Sequence, residues 1–349
     1  MKVPSEQKAI EAILQRLAEL LLVDRTEVRR NQYTPYSDSL VEAGPFTFLV
    51  KWNGRGSAGP VAATIEQALV HVKDIDGDVV PAVAVPFMGE AGRRLCTEAK
   101  VAWLDLSGNA RILAPGLNIQ IEGQPNRYKR RGRPSSVFAP KSSRIARCLL
   151  MHPLETWTQR NLSRSAEIDE GYTSKIVGKL ENDGLIVRDG TGAVRLRDPD
   201  LLLDAWSESY SFSKHHLIRG HVAARSGDTL LRQLAETLKK ASVSYAATGL
   251  ASAWLLDHFA GFRIATLYLE QEPSPALLAS LSFREDARGA NVWLVIPNDM
   301  GVFHGATLRD GIRCVHPVQT YLDLHAHPER AQEASTMLRT EHLIWRDND

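Results

Sequence analysis

Apolar and polar positions alternate along this chain with two periods, and the period changes element by element. From about residue 5 to 24, Ile10, Ile13, Leu14, Leu17, Leu20 and Leu21 form one stripe at helical spacing and predict an amphipathic helix. Arg25 to Glu42 is polar and reads as irregular. Phe46 to Trp52 alternates and is rich in β-formers, so it is expected as a strand. A Gly-rich loop, Asn53 to Pro60, leads into a helix from Val61 to Val72. Val79 to Pro86 then reads as a buried strand, Gly89 to Glu98 as a helix and Val101 to Leu106 as another strand. Asn109 to Ala114 starts the last strand, which Asn118 to Ile121 continues. Helices and strands in this alternation predict an α/β domain over residues 1–125.

A different pattern follows, and it predicts a winged helix-turn-helix over residues 141–206. Ile145, Cys148 and Leu149 give the first helix its spacing, which Pro153 ends. Trp157 to Ala166 is a second short helix, with Leu162 and Ala166 four apart. Asp169 is placed to cap a third helix from Glu170 to about Asn182. On that helix Thr173, Ile176, Val177 and Leu180 fall at i, i+3, i+4 and i+7 and turn inward. Tyr172, Lys175 and Lys179 share the outward face, with Ser174 beside them. Gly184 stops the helix. Two short strands around Asp189-Gly190-Thr191-Gly192 form the wing. In such modules the third helix enters the DNA major groove.

Beyond the wing, Asp198 to Trp206 predicts a short helix and Thr229 to Ser242 a longer amphipathic one. Val243 to Trp254 reads as a strand running into a helix through Thr248-Gly249. Strands follow at Phe262 to Leu269 and Val292 to Pro297, and a C-terminal helix runs from Ala331 to Leu343. Residues 207–349 are thus expected to form a second α/β domain. The chain is α/β and multidomain overall.

Charge sharpens this picture. Residues 127–197 carry 15 Lys/Arg and 7 Asp/Glu, a net of +8 in a chain whose total is +1. One local basic block in an otherwise acidic chain suits a single polyanion-binding face. Its densest part lies in a linker, residues 126–140. There Arg131-Gly132-Arg133-Pro134 matches the core of an AT-hook, whose arginines lie in a narrow A·T minor groove. The expected DNA-contacting set is Arg131, Arg133, Arg160, Tyr172, Thr173, Ser174, Lys175, Lys179, Arg188 and Arg195. Three scattered cysteines, Cys96, Cys148 and Cys314, form neither a metal-ligand spacing nor a disulfide framework, which fits a reducing cytoplasm. No apolar run approaches the length of a membrane span, and the N-terminal helix lacks the apolar core of a signal peptide.

Candidate catalytic chemistry is incomplete in both α/β domains. The first follows the element order of restriction-endonuclease-like folds, which need an acid and then an acid-x-Lys to hold Mg²⁺. Lys51 could be that lysine, but Leu49 stands two before it, with Asp38 and Glu42 the upstream acids. The strand-Thr248-Gly249-helix unit resembles the start of a nucleotidyltransferase fold. The next strand, however, has no carboxylate before Glu270, so metal-nucleotide has no ligands there. His215, His216 and His221 lack the spacing of a helical zinc pair. Asp105 and Asn109 read as caps of a turn. No metal site and no cofactor is expected, and neither domain is expected to be an enzyme.

The chain resembles the AbiEi-type antitoxin family, transcriptional regulators of type IV toxin–antitoxin systems. Trp103 to Ala110 with Ile112, Glu181 to Leu185 and His316 to Leu324 carry the resemblance. It looks most like long members with an added N-terminal nuclease-like domain. The resemblance implies a double-stranded DNA operator, self-repression and a partner nucleotidyltransferase toxin. A homodimer on an inverted repeat is the expected binding form, because one winged helix reads few base pairs. The competing readings are an antitoxin that acts by binding its partner through the C-terminal domain, and a metal-dependent nuclease.

Overall fold

A computed structural model describes residues 2–33, 38–128, 137–258, 261–286 and 288–345. The Arg131-Gly132-Arg133-Pro134 run lies outside them. The fold is mixed α/β, with two seven-stranded sheets and a two-stranded wing. The chain divides into two compact units: Met1–Ser136 with Leu180–Ile186, and Val137–Lys179 with Val187–Asp349.

The first unit is built on a sheet whose strands lie side by side in chain order. Its elements are α1 (Glu6–Leu21), β1 (Val28–Tyr33), β2 (Asp38–Ala43), β3 (Phe46–Trp52), α2 (Ala58–His71), β4 (Val79–Val85), α3 (Glu90–Glu98), β5 (Ala102–Asp105), β6 (Ala110–Ala114) and β7 (Leu117–Ile121). β3, β4 and β5 are parallel and the outer strands antiparallel. Successive side chains of a strand face opposite ways. Phe48, Val50, Ala82, Ala84, Ala102 and Leu104 therefore share one face with the α1 stripe Ile10, Ile13, Leu14 and Leu17. Val83, Val85 and Trp103 share the other with Val61 and Ile65 of α2 and Cys96 of α3.

Two expectations fail here. The stretch from Arg25 to Glu42, expected to be irregular, contains β1 and β2, paired from Val28↔Ala43 to Tyr33↔Asp38. β1 is an edge strand, so its outward positions stay polar and apolar alternation is lost. Cross-strand bonds such as Arg30 Nε to Ser39 Oγ (2.9 Å) replace it. Residues 118–121 do not continue the preceding strand. Pro115 and Gly116, the latter at φ +77°, turn the chain so that β7 folds back on β6, Ala114 opposite Leu117.

The second unit contains α4 (Ser143–Met151), α5 (Gln159–Ser165), most of α6 (Glu170–Asn182) and the wing strands β8 (Ile186–Arg188) and β9 (Val194–Leu196). The C-terminal elements follow: α7 (Pro199–Ser209), β10 (His216–His221), α8 (Gly227–Lys240), β11 (Tyr245–Thr248), α9 (Gly249–Asp257), β12 (Ala265–Leu269), α10 (Pro275–Ser280), β13 (Arg284–Glu285), β14 (Val292–Ile296), β15 (Thr307–Arg309), β16 (Ile312–Cys314), α11 (Pro317–Leu324) and α12 (Ala331–His342). The sheet order is β13-β10-β14-β12-β11-β16-β15, with β12 parallel to β14 and β11 to β16. The His-rich segment forms strand β10. Among the described residues no group of three His, Cys, Asp or Glu could hold a metal, and no helix is long and apolar enough to cross a membrane. Cys96, Cys148 and Cys314 are free and buried.

Candidate nucleic-acid interface

The third helix of the helix-turn-helix, α6, is fixed at both ends. At its start the Asp169 carboxylate accepts the Tyr172 N–H (2.7 Å) and its carbonyl accepts the Thr173 N–H (3.0 Å). At its end the Leu185 N–H bonds to the Leu180 carbonyl and the Gly184 N–H to that of Glu181. Gly184 adopts φ +67°, the Schellman arrangement that closes a helix. Ile176, Val177 and Leu180 are buried, as their spacing predicts. So is Thr173, at 0% exposure and with no hydrogen bond to its hydroxyl. Thr173 is therefore a core residue and leaves the DNA-contacting set, because the inward row of the helix overrides its place near the helix start.

Ser174 and Lys175 are exposed on α6. Gln159 Nε2 reaches Ser174 Oγ (3.4 Å), and Arg160 lies 3.9 Å from Glu170, both pairs exposed. The starts of α5 and α6 thus meet at one edge that collects Gln159, Arg160, Ser174 and Lys175. Gln159 is not among the expected contacts; its only signal in the sequence is its place one residue after Thr158, the cap of α5. Tyr172 is half-buried, its hydroxyl 3.1 Å from Ser142 Oγ. Lys179 and Arg188 are half-buried and Arg195 is exposed. The wing tip is ordered by the Asp189 carboxylate, which accepts the Thr191 N–H and hydroxyl and the Ala193 N–H. These donors hold it below the usual carboxylate range. Trp157 adds a bridge to Val194, both N–H···O bonds at 2.7 Å, so the wing gains a third extended segment. Arg131 and Arg133 lie outside the described residues.

Two cations of the basic block belong to the protein interior. Arg144 grips Asp299 through Nε (2.7 Å) and Nη2 (3.0 Å) and reaches Glu167. Arg147, expected only as part of the block, is 3% exposed. Its guanidinium lies 5.1 Å from the Trp206 ring, and Nη2 donates to Gln319 Oε1 (2.5 Å). The α4 helix has only nine residues and is covered on nearly every side, so periodicity could not single Arg147 out.

Each α/β sheet also buries a polar centre. In the first unit Asp38 of β2 holds Lys51 of β3 (2.6 Å) and His71 at the end of α2 (2.6 Å), with Lys51 Nζ 3.1 Å from His71 Nδ1. The lysine and acid considered for a metal site are thus bonded to each other, and Leu49 is buried. In the same unit, Asp105 Oδ1 accepts the N–H groups of Ser107, Gly108 and Asn109, so it caps a turn.

In the second unit, α11 carries Gln319, Thr320 and Asp323, all at 0% exposure. Asp323 accepts from the hydroxyls of Tyr210, Tyr268 (3.1 Å) and Thr248 and from Gln319 Nε2 (2.7 Å). Burial outweighs these bonds and lifts its pKa to about 6. His215 faces both tyrosine hydroxyls through Nε2, while Nδ1 accepts the Asn298 N–H (3.1 Å). An accepting Nδ1 places the ring proton on Nε2. Burial, with the Arg147 charge, lowers this histidine to about 4. His327 closes the centre through Thr266 (2.8 Å) and sits where a Cβ on Gly249, at φ +57°, would strike its ring. The Thr-Gly turn therefore needs its glycine for packing. Thr266 and Tyr268, two apart on β12, stand on the strand where carboxylates were sought.

Residues 195–344 match a family described as transcriptional regulator, AbiEi antitoxin, type IV TA system. The matched segment starts in the last wing strand and covers the C-terminal α/β domain; α4, α5, α6 and the N-terminal sheet lie outside it. No curated protein and no solved structure matches the chain.

Proposed function

Residues 195–344 match the AbiEi antitoxin and transcriptional-regulator family, and from that premise we propose that this chain is a sequence-specific DNA-binding repressor of its own operator. The observation that carries the reading is the edge where α5 meets α6. There Ser174 and Lys175 stand exposed beside Arg160 on a helix capped at both ends. In this reading Ser174 and Lys175, with Tyr172 beside them, address base edges in the major groove. Arg160, Lys179, Arg188 and Arg195 hold phosphates, and Arg131 and Arg133 lie along the minor groove. The chain binds as a homodimer on an inverted repeat. Neither α/β domain is catalytic: Asp38 is occupied by Lys51 and His71, and β12 offers Thr266 and Tyr268 in place of paired acids.

The test is a fluorescence-anisotropy titration of operator and scrambled duplexes at several salt concentrations. Lys175→Ala is expected to cost about 1–3 kcal/mol on the operator and little on the scrambled duplex. Arg195→Ala is expected to weaken both and to make the log-affinity against log-salt slope shallower by about one unit. Unchanged operator affinity in both variants would remove the winged helix as the reader.

A second reading is favoured by the extent of the family match, which lies almost wholly on the C-terminal domain. In it that domain neutralises a partner nucleotidyltransferase toxin. Loss of protection when residues 207–349 are challenged by surface charge reversals, with operator affinity intact, is the outcome that favours it.

A further inference from the structure

The second unit contains a pocket between the start of α4, the end of α7 and the turn after β14. Ser143, Arg147, Trp206, Tyr210, Lys214 and Asn298 are among its walls. It has about 40 Å³ of room, several times the need of one water. Arg147 is its unusual member. Three nitrogens of its guanidinium can donate, and only Nη2 does so; Nε and Nη1 are buried without a hydrogen bond. The one bonded partner is a neutral amide. Gln319 turns its oxygen to Arg147 and its nitrogen to Asp323 (2.7 Å), so the Asp323 charge stands one side chain away.

Arg144, one turn earlier on the same helix, shows the contrast. Its guanidinium is chelated by the Asp299 carboxylate. Asp299 also lines the pocket, but Arg144 and the Gly301 N–H (2.8 Å) hold it. His215, also at the wall, has its Nδ1 spent on a backbone N–H and is neutral at pH 7. A buried cation that lacks an anionic oxygen is costly, and a guanidinium fork fits a carboxylate or phosphate edge. At the rim Lys214 and Asn298 are exposed, and the Lys214 ammonium has no ion pair among the described residues.

We propose that this pocket binds the oxyanion head of a small ligand, a carboxylate or a phosphate, against Arg147, with Lys214 at the entrance. The room admits the head group only, so the remainder of the ligand projects past the rim. Because Arg147 lies on the first helix of the helix-turn-helix, occupancy is an input to operator binding. That consequence rests on the DNA-binding reading above, whereas the site itself does not.

The probes are inorganic phosphate and acetate, titrated into the full chain by calorimetry and thermal unfolding against chloride at equal ionic strength. The expected result is saturable binding of at least one probe. Phosphate alone points to a phosphorylated ligand and acetate alone to a carboxylate. Lys214→Ala, on the exposed rim, is expected to weaken binding at least about fivefold, and Arg147→Met to abolish it. If Arg147→Met does not fold, Lys214→Ala carries the test. Two results overturn the site: no saturable response to either probe, or the same response in the variants as in the parent. Anisotropy with operator, with and without the effective probe, separates the consequence. Unchanged affinity in the parent chain overturns the coupling and leaves the site, while a chain that binds no DNA overturns the DNA-binding reading alone.

Discussion

Two buried carboxylates, Asp38 in the first α/β unit and Asp323 in the second, are satisfied in opposite ways. Asp38 meets a charge directly in Lys51, 2.6 Å from one oxygen, while the His71 ring lies 2.6 Å from the other. Asp323 meets no cation directly; three hydroxyls and an amide surround it. An ion pair depends on two partners and can be exchanged as a unit for apolar groups of similar size. A hydrogen-bonded shell distributes one charge over four residues from four segments, and removing one member leaves its partners with unmet hydrogen bonds. Both centres include side chains weighed for metal binding or standing on the strand where carboxylates were sought, and those side chains are bonded to protein neighbours: Asp38 and Lys51 to each other, Tyr268 to Asp323 and Thr266 to His327.

The contrast can be broken most directly at Asp323. Asp323→Ala leaves Tyr210, Tyr268, Thr248 and Gln319 facing a void, and is expected to cost about 3–5 kcal/mol in urea unfolding of the second unit. A loss near zero would show that the shell does not depend on its carboxylate. Next in size is Lys51→Met, which leaves Asp38 with the His71 ring as its remaining side-chain partner and is expected to cost roughly 3 kcal/mol. Adding Asp38→Leu should then restore stability to within about 1 kcal/mol of the parent. If the double variant remains as weak as the single one, the first centre is also a network.

A smaller effect distinguishes the second centre by pH. The pKa of Asp323 is raised from 3.8 to about 6, so its folded form favours the proton. Its contribution is fully present below pH 3.8 and is lost as pH rises to 6. His215 is lowered from 6.5 to about 4, so its contribution is present above 6.5 and is lost as pH falls to 4. The two oppose each other between pH 4 and 6. Asp323→Asn is therefore expected to make the acid-side fall in stability steeper, by up to about 1.4 kcal/mol per pH unit. Urea midpoints at half-unit steps across that window would show it, and parallel curves for parent and variant would contradict it.

What was legible in the sequence followed burial. The inward row of α6 and the α1 stripe were readable because one side of each faces a core, and β3, β4, β12 and β14 because both their faces are covered, which leaves short apolar runs. The polar edge strand β1 and the short strands β13 and β15 were not, since backbone pairing rather than side-chain pattern makes them. The α11 stretch was noticed as a family marker, yet its role was hidden. Asp323 finds Tyr210, Thr248 and Tyr268 at separations of 113, 75 and 55 residues, and no local rule joins them. Arg147 was counted with the DNA-facing charge because burial on both sides of a short helix leaves no period to detect.

The three cysteines have a practical consequence. Burial raises the Cys96 thiol to about 12 and the Cys148 thiol to about 11, and raises that of Cys314 as well. Alkylation requires a thiolate that reagent can reach, so the closed protein is nearly inert to it. Cys96 sits on α3, Cys148 on α4 and Cys314 on β16. Each modification is then a timestamp of one local opening. A single labelling time course read by mass spectrometry reports separately how often the N-terminal sheet, the helix-turn-helix and the C-terminal sheet come apart, with no residue changed.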